Sequence, residues 1–173
     1  MWFNSSYHRS SFLPACRRFL KRMPNHRHLD RIDAIGRRAR VLYPGIDPFP
    51  RPPETRLPGP PRIVWASRWE ADKRPDMLFG ALDRLAQQDV PFEISVLGGR
   101  SDGAAPRIFE AARRRLGDRV RHWGYAESRA DYAGLLGEAD VVVSTADHEF
   151  FGISVVEAVA AGAYPLVPNR LAY

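Results

Sequence analysis

The sequence contains one cysteine, Cys16, which excludes a disulfide within the chain and leaves a reducing compartment open. Acid is scarce at the front. Residues 1 to 40 hold ten Lys or Arg against Asp30 and Asp33 alone, whereas the rest carries sixteen basic and eighteen acidic side chains. The net charge of +6 at pH 7 therefore belongs to the front segment. Long apolar runs are also lacking. The most hydropathic window, Phe150 to Val167, is broken by Glu157, Gly162 and Pro165, which argues against a membrane span. Asn4, His8, Arg9 and several serines interrupt any apolar core in the first sixteen residues, so no secretory signal is read there. A cytoplasmic protein is expected. A zinc-protease pattern is missing, because His148-Glu149 is followed by Gly152 where a second His is needed, and Leu97-Gly98-Gly99 falls short of a dinucleotide fingerprint.

Proline is abundant in one place only. Residues 41–61 hold eight prolines, which rule out a helix or a central strand and predict an extended, semi-rigid connection between two bodies. Ahead of it lie Trp2-Phe3 and two expected helices, Ser10 to Met23 and His28 to Arg40, with too few apolar residues for a core of their own. Their arginines and Lys21, with Tyr7, His8 and Phe12 interleaved, form either a phosphate-tracking surface or a solvated helix face.

From Arg62 onward strands and helices alternate. Strands are expected at Arg62 to Ala66, Glu93 to Leu97, Val120 to Trp123, Ala139 to Ser144 and Tyr164 to Val167. Helices are expected at Pro75 to Gln87, Pro106 to Leu116, Ser128 to Leu136 and Gly152 to Ala161. Ser128 and Asp131 read as an N-cap and its N3 acid. Such alternation with short connections predicts an α/β fold, a Rossmann-like parallel sheet with helices on both faces, with ligands at the strand carboxyl ends.

The informative stretch is DHEFFGISVVEAVAAG, Asp147 to Gly162, after the β-branched run Val141 to Val143. A helix starting beyond a parallel strand offers unpaired N–H groups and a positive dipole end, so a phosphate is its natural guest. Gly152, Ile153 and Ser154 stand at that start. Glu149 precedes the helix and Glu157 lies about 6 Å inside it, with side chains leaning back toward the start. If a diphosphate occupies the helix start, the two carboxylates lie on either side of it. Each can accept from a vicinal diol. A solvated surface pair is the plain alternative, disfavoured by the apolar surroundings of Glu157. A glycosidase pair would need both carboxyls to face one bond.

Two cations follow the first strand of this region, Arg68 at its tip and Lys73 before Pro75, placed to neutralise a diphosphate or, more plainly, to form a charged surface. Trp123-Gly124-Tyr125 ends the third strand.

Glu149-x7-Glu157, with Phe-Phe-Gly after the first Glu, resembles the E-x7-E signature of the retaining family 4 glycosyltransferases of the GT-B fold. Within that family Phe3-Asn4-Ser5, Pro44-Gly45-Ile46-Asp47, Ser67-Arg68-Trp69-Glu70, His122 to Ser128, His148 to Gly152 and Pro168-Asn169-Arg170-Leu171 resemble the tRNA-queuosine α-mannosyltransferases over nearly the whole chain. The resemblance implies transfer of mannose from GDP-mannose to queuosine in tRNA, with retention and without a catalytic metal or other cofactor. It implies that Arg68 and Lys73 hold the diphosphate, Glu149 the hexose, Glu157 the ribose, Gly152 to Ser154 the phosphate through N–H groups, and Gly124 and Tyr125 the base.

On this resemblance, residues 1–40 are expected to be a remnant of an N-terminal domain, 41–61 the interdomain linker and 62–173 a nucleotide-sugar-binding domain. The chain is then the C-terminal half of a GT-B fold, incomplete at both ends and lacking the other wall of its cleft. Two other readings stay open: a retaining transferase with a different donor and acceptor, and a non-catalytic nucleotide- or RNA-binding fragment.

Overall fold

The computed structural model describes residues 1–47, 58–99 and 106–173. The chain divides into two compact units, one of residues 1–45, 149–152 and 170–173, the other of residues 46–148 and 153–169.

The first unit holds β1 (Trp2–Phe3), α1 (Ser6–Lys21), α2 (Leu29–Arg38) and β2 (Arg40–Val41). The two short strands run parallel, with Phe3 opposite Val41. α1 begins four residues before the expected Ser10. Its cap is Ser5, whose hydroxyl accepts the His8 N–H at 2.9 Å; without Glu or Gln at the third helical position that cap lacks its usual partner. α2 stops short of Arg40 because Ala39 turns extended, at φ −68° and ψ 135°. The Arg40 N–H then bonds the Met1 carbonyl at 3.1 Å and Leu42 that of Phe3 at 2.8 Å. The expected proline connection thus opens inside a strand. Its residues 48–57 lie outside the described residues.

The second unit follows the expected alternation: β3 (Arg62–Ala66), α3 (Pro75–Gln87), β4 (Glu93–Leu97), α4 (Arg107–Leu116), β5 (Val120–Gly124), α5 (Arg129–Gly137), β6 (Val141–Val143), α6 (Ile153–Ala160) and β7 (Tyr164–Leu166). All five strands are parallel, in the order β5-β4-β3-β6-β7. The chain starts in the middle of the sheet, builds outward to β5, then crosses back to β6. That reversal puts a topological switch point between β3 and β6.

Alternation along the strands sorts the core. Trp65, Ile94 and Val96 pack with Leu78, Phe79 and Leu82 of α3 and with Phe109, Ala112 and Leu116 of α4. Val64, Leu97 and Val142 are buried by the opposite alternation, and α6 runs against β6 and β7 and touches α5. Both faces are apolar, as a covered parallel sheet requires. β6 is shorter than expected because its flanks carry isolated bonds: Asp140 N–H to the Arg62 carbonyl at 2.8 Å and Ser144 N–H to that of Leu166 at 3.0 Å.

α6 stops as its glycine predicts. Gly162 stands at φ 107°, its N–H reaches the Val159 carbonyl at 3.0 Å, and the Ala163 N–H reaches that of Ala158 at 2.9 Å. Those two bonds form a Schellman closure, which a left-handed glycine permits.

Candidate functional site

In the second unit, two loops leave the carboxyl ends of β3 and β6 and are bonded to each other. The Asp147 N–H donates to the Asp72 carbonyl at 2.7 Å. The Thr145 hydroxyl donates to the Lys73 carbonyl at 2.6 Å and accepts from the Trp65 indole at 3.3 Å. Arg74 closes the set from a left-handed backbone, φ 49°, with its guanidinium on Asp76 at 2.8 Å and Asp147 at 3.3 Å. Those bonds hold Arg74 above the usual arginine range and Asp76 below the usual carboxylate range. A non-glycine residue at positive φ costs of order 1–3 kcal/mol and persists only where its surroundings fix it.

Lys73 does not lie on a charged surface. It ends a single 3-10 turn, Ala71–Lys73, is buried, and donates through Nζ to the His148 carbonyl with Asp72 at 3.3 Å. Arg68 does stand at the rim. Its side chain is mostly exposed and pairs with Glu70 at 3.1 Å.

α6 is anchored to the same strand end. The Ser154 hydroxyl donates to the Ala66 carbonyl at 2.8 Å, which fixes the helix start beside the tip of β3. One turn further in, Glu157 is 7% exposed, so it does not belong to a solvated face. Arg129 Nη2 reaches one carboxylate oxygen at 2.6 Å and the Tyr132 hydroxyl reaches the other at 2.8 Å. Burial, then the bond to Glu157, raises the Tyr132 phenol above its ordinary range; the bond to Glu157 raises Arg129 likewise. Neither partner was picked out in the sequence, although Arg129 and Tyr132 are spaced i, i+3 and so share one face of α5.

The tip of β4 explains the glycine pair. Gly98 stands at φ 117°, and a Cβ there would lie 2.0 Å from the Ser67 carbonyl oxygen. Its N–H bonds the Gly124 carbonyl at 3.0 Å. Gly99 lies beneath the Tyr125 ring, 2.7 Å from where its Cβ would be, while Tyr125 stays 68% exposed.

Glu149 and Gly152 belong to the first unit. One Glu149 carboxylate oxygen accepts the N–H groups of Phe150 and Phe151 at 3.0 and 3.3 Å. Phe150 stacks on His8 at 4.3 Å, and its carbonyl accepts from the Ser5 hydroxyl. Gly152, at φ 84°, faces the Tyr173 ring. Among the described residues, no group of three or more His, Cys, Asp or Glu is arranged to hold a metal ion, and no helix is long and apolar enough to cross a membrane.

The family described as "Glycosyl transferases group 1" matches residues 50–171. The chain belongs to that family. Residues 1–46 match the N-terminal model of tRNA-queuosine alpha-mannosyltransferase. The tRNA-queuosine alpha-mannosyltransferase of Drosophila melanogaster is 34% identical over 99% of the chain, and the chain spans 48% of that protein's length. A GDP-mannose-dependent alpha-(1-6)-phosphatidylinositol dimannoside mannosyltransferase of Mycobacterium tuberculosis is 29% identical over 62% of the chain and 27% of its own length. Among solved structures, WaaG, a glycosyltransferase involved in lipopolysaccharide biosynthesis, superposes with a TM-score of 0.68 at 21% identity, over 99% of this chain and 45% of WaaG. This group 1 chain thus has the expected α/β fold with a parallel sheet.

Proposed function

We propose that the chain carries the nucleotide-sugar-binding part of a cytoplasmic, retaining α-mannosyltransferase that moves mannose from GDP-mannose to queuosine in tRNA without a catalytic metal. The observation that carries this reading is the convergence at the switch point of the Lys73 loop, the Arg68 tip and the anchored start of α6, with the buried Glu157 carboxylate one turn further in. Its likeness to the Drosophila protein along nearly its whole length supports the acceptor.

The roles follow from charge. When the sugar leaves, negative charge grows on the departing diphosphate, and fixed donors aimed there stabilise the transition state more than the ground state. Lys73, bonded to the His148 carbonyl and beside Asp72, contributes a fixed positive charge to that task. Arg68 can turn to a phosphate by giving up an exposed pair with Glu70, worth only about 0–1 kcal/mol. The first N–H groups of α6 supply neutral donors. Glu157 accepts the ribose diol and Glu149 the hexose hydroxyls.

Amide substitution separates these two roles. In calorimetry, Glu157→Gln weakens GDP and GDP-mannose alike, by about tenfold or more, since both carry the ribose and a charge-assisted bond is worth about 1.5–3 kcal/mol. Glu149→Gln leaves GDP binding nearly intact and weakens GDP-mannose. Equal loss of bare GDP in both variants would show that the hexose assignment is wrong.

A further inference from the structure

Glu157 is buried, and both of its bonded partners come from a single neighbouring helix, α5. We propose that Arg129 and Tyr132 are positioning residues for the donor ribose: they fix the Glu157 carboxylate so that each oxygen presents one acceptor direction to a vicinal diol. The inference rests on the ribose role given to Glu157 above.

The stoichiometry of the bonds supports it. A carboxylate offers roughly four lone-pair directions over two oxygens. Arg129 takes one on Oε1 and Tyr132 takes one on Oε2, so the two donors are shared out and neither oxygen is saturated by them. A fork from Arg129 to both oxygens would instead have turned the whole carboxylate edge away from a ligand. The two donors are themselves held together, with the guanidinium 5.1 Å over the Tyr132 ring. Asp47 also lies 3.6 Å from Arg129, with its side chain 83% exposed, a solvated pair of little strength. Glu157, by contrast, is almost wholly out of water, where orientation of a carboxylate is set by its bonded partners.

A merely structural ion pair would make different demands. It would need only charge compensation, and loss of the Tyr132 hydroxyl would change stability without telling one nucleotide from another. A positioning role acts only on ligands that carry the ribose hydroxyls.

The test compares GDP with 2′,3′-dideoxy-GDP on the 173-residue chain, by ligand-detected NMR titration. Wild type prefers GDP. Tyr132→Phe, which keeps the ring and its packing, reduces that preference by about tenfold and leaves the affinity for the dideoxy nucleotide unchanged, which also shows the site is folded. Arg129→Gln does the same. In a Glu157→Gln background, Tyr132→Phe has no further effect on the preference, as a cycle through one shared group requires. If Tyr132→Phe weakens both nucleotides equally, or leaves the preference intact, the positioning role is overturned. If wild type itself shows no preference for the ribose hydroxyls, the ribose role of Glu157 falls, and this inference falls with it.

Discussion

Tyr132 shows how one side chain carries both a packing and an electrostatic consequence. Its phenol is pushed up by burial and by the Glu157 carboxylate that it donates to. The sign of the pH effect follows. A tyrosine whose folded value is raised binds its proton more tightly in the native state, so its stabilisation is complete below the ordinary value of about 10 and is lost progressively as pH rises above it. Urea unfolding of wild type and Tyr132→Phe at neutral pH and again above pH 10 reads this directly. The stability advantage of wild type should shrink in the alkaline series; an advantage that grew with pH would contradict the assigned bond. Charge at the surface behaves differently. Arg68 and Glu70 form an exposed pair, and breaking it changes the direction in which Arg68 points far more than it changes stability.

Elements are where the sequence was most legible. α3 and the strands β3 and β4 fall on the expected residues because their signals are local: Pro75 opens a helix, and short apolar runs between turn residues read as buried strands. α1 was misplaced at its start because Ser5 caps it without an acidic partner, and β2 was missed because two residues carry no periodicity. The candidate site was legible in part. Arg68, Lys73, Glu149 and Glu157 stood out by spacing, whereas Arg129 and Tyr132 did not, since nothing local says that α5 lies against α6. No local pattern reveals that the loop after β6 bonds to Lys73 and that its side chain is buried. Gly98 fell short of a dinucleotide fingerprint in the sequence, and the structure gives it a sterically necessary place. Gly98→Ala puts a methyl 2.0 Å from the Ser67 carbonyl at φ 117°, so the tips of β3 and β4 must separate. The expected cost is about 1–3 kcal/mol, from a non-glycine residue held at positive φ together with the clash. Thermal unfolding should register it, and nucleotide affinity should fall as well because Arg68 follows Ser67. Gly80→Ala is the control, since nothing lies within 4 Å of its added Cβ.

At the scale of the whole molecule, charge is divided as unevenly as the sequence stated. The basic residues of the front segment lie on α1 and α2, in the turn between them and, for Arg40, on β2: Arg18, Lys21, Arg22, Arg27, Arg31, Arg37, Arg38 and Arg40 are exposed, while Arg17 is engaged with Asp33 and Arg9 with the Gly36 carbonyl at 3.2 Å. Two accounts of this surface differ in what salt does to it. If the exposed cations only solvate the helices, adding salt changes little beyond stability by fractions of a kcal/mol. If they track the phosphates of the tRNA proposed as acceptor, each contact releases a condensed counterion, and log affinity falls linearly with log salt by roughly 0.7–0.9 per phosphate. Four such contacts imply a loss of roughly fiftyfold to 150-fold between 50 and 200 mM salt by the same relation. Replacing Arg18, Arg22 and Arg31 together by glutamine should then weaken tRNA binding at low salt and flatten the salt slope by about 1 for each contact removed, while leaving GDP affinity unchanged. Filter binding or fluorescence anisotropy across a salt series measures both quantities. A slope that is near zero in wild type, or that survives the triple substitution intact, would assign these arginines to solvation and move the search for the RNA surface elsewhere on the chain.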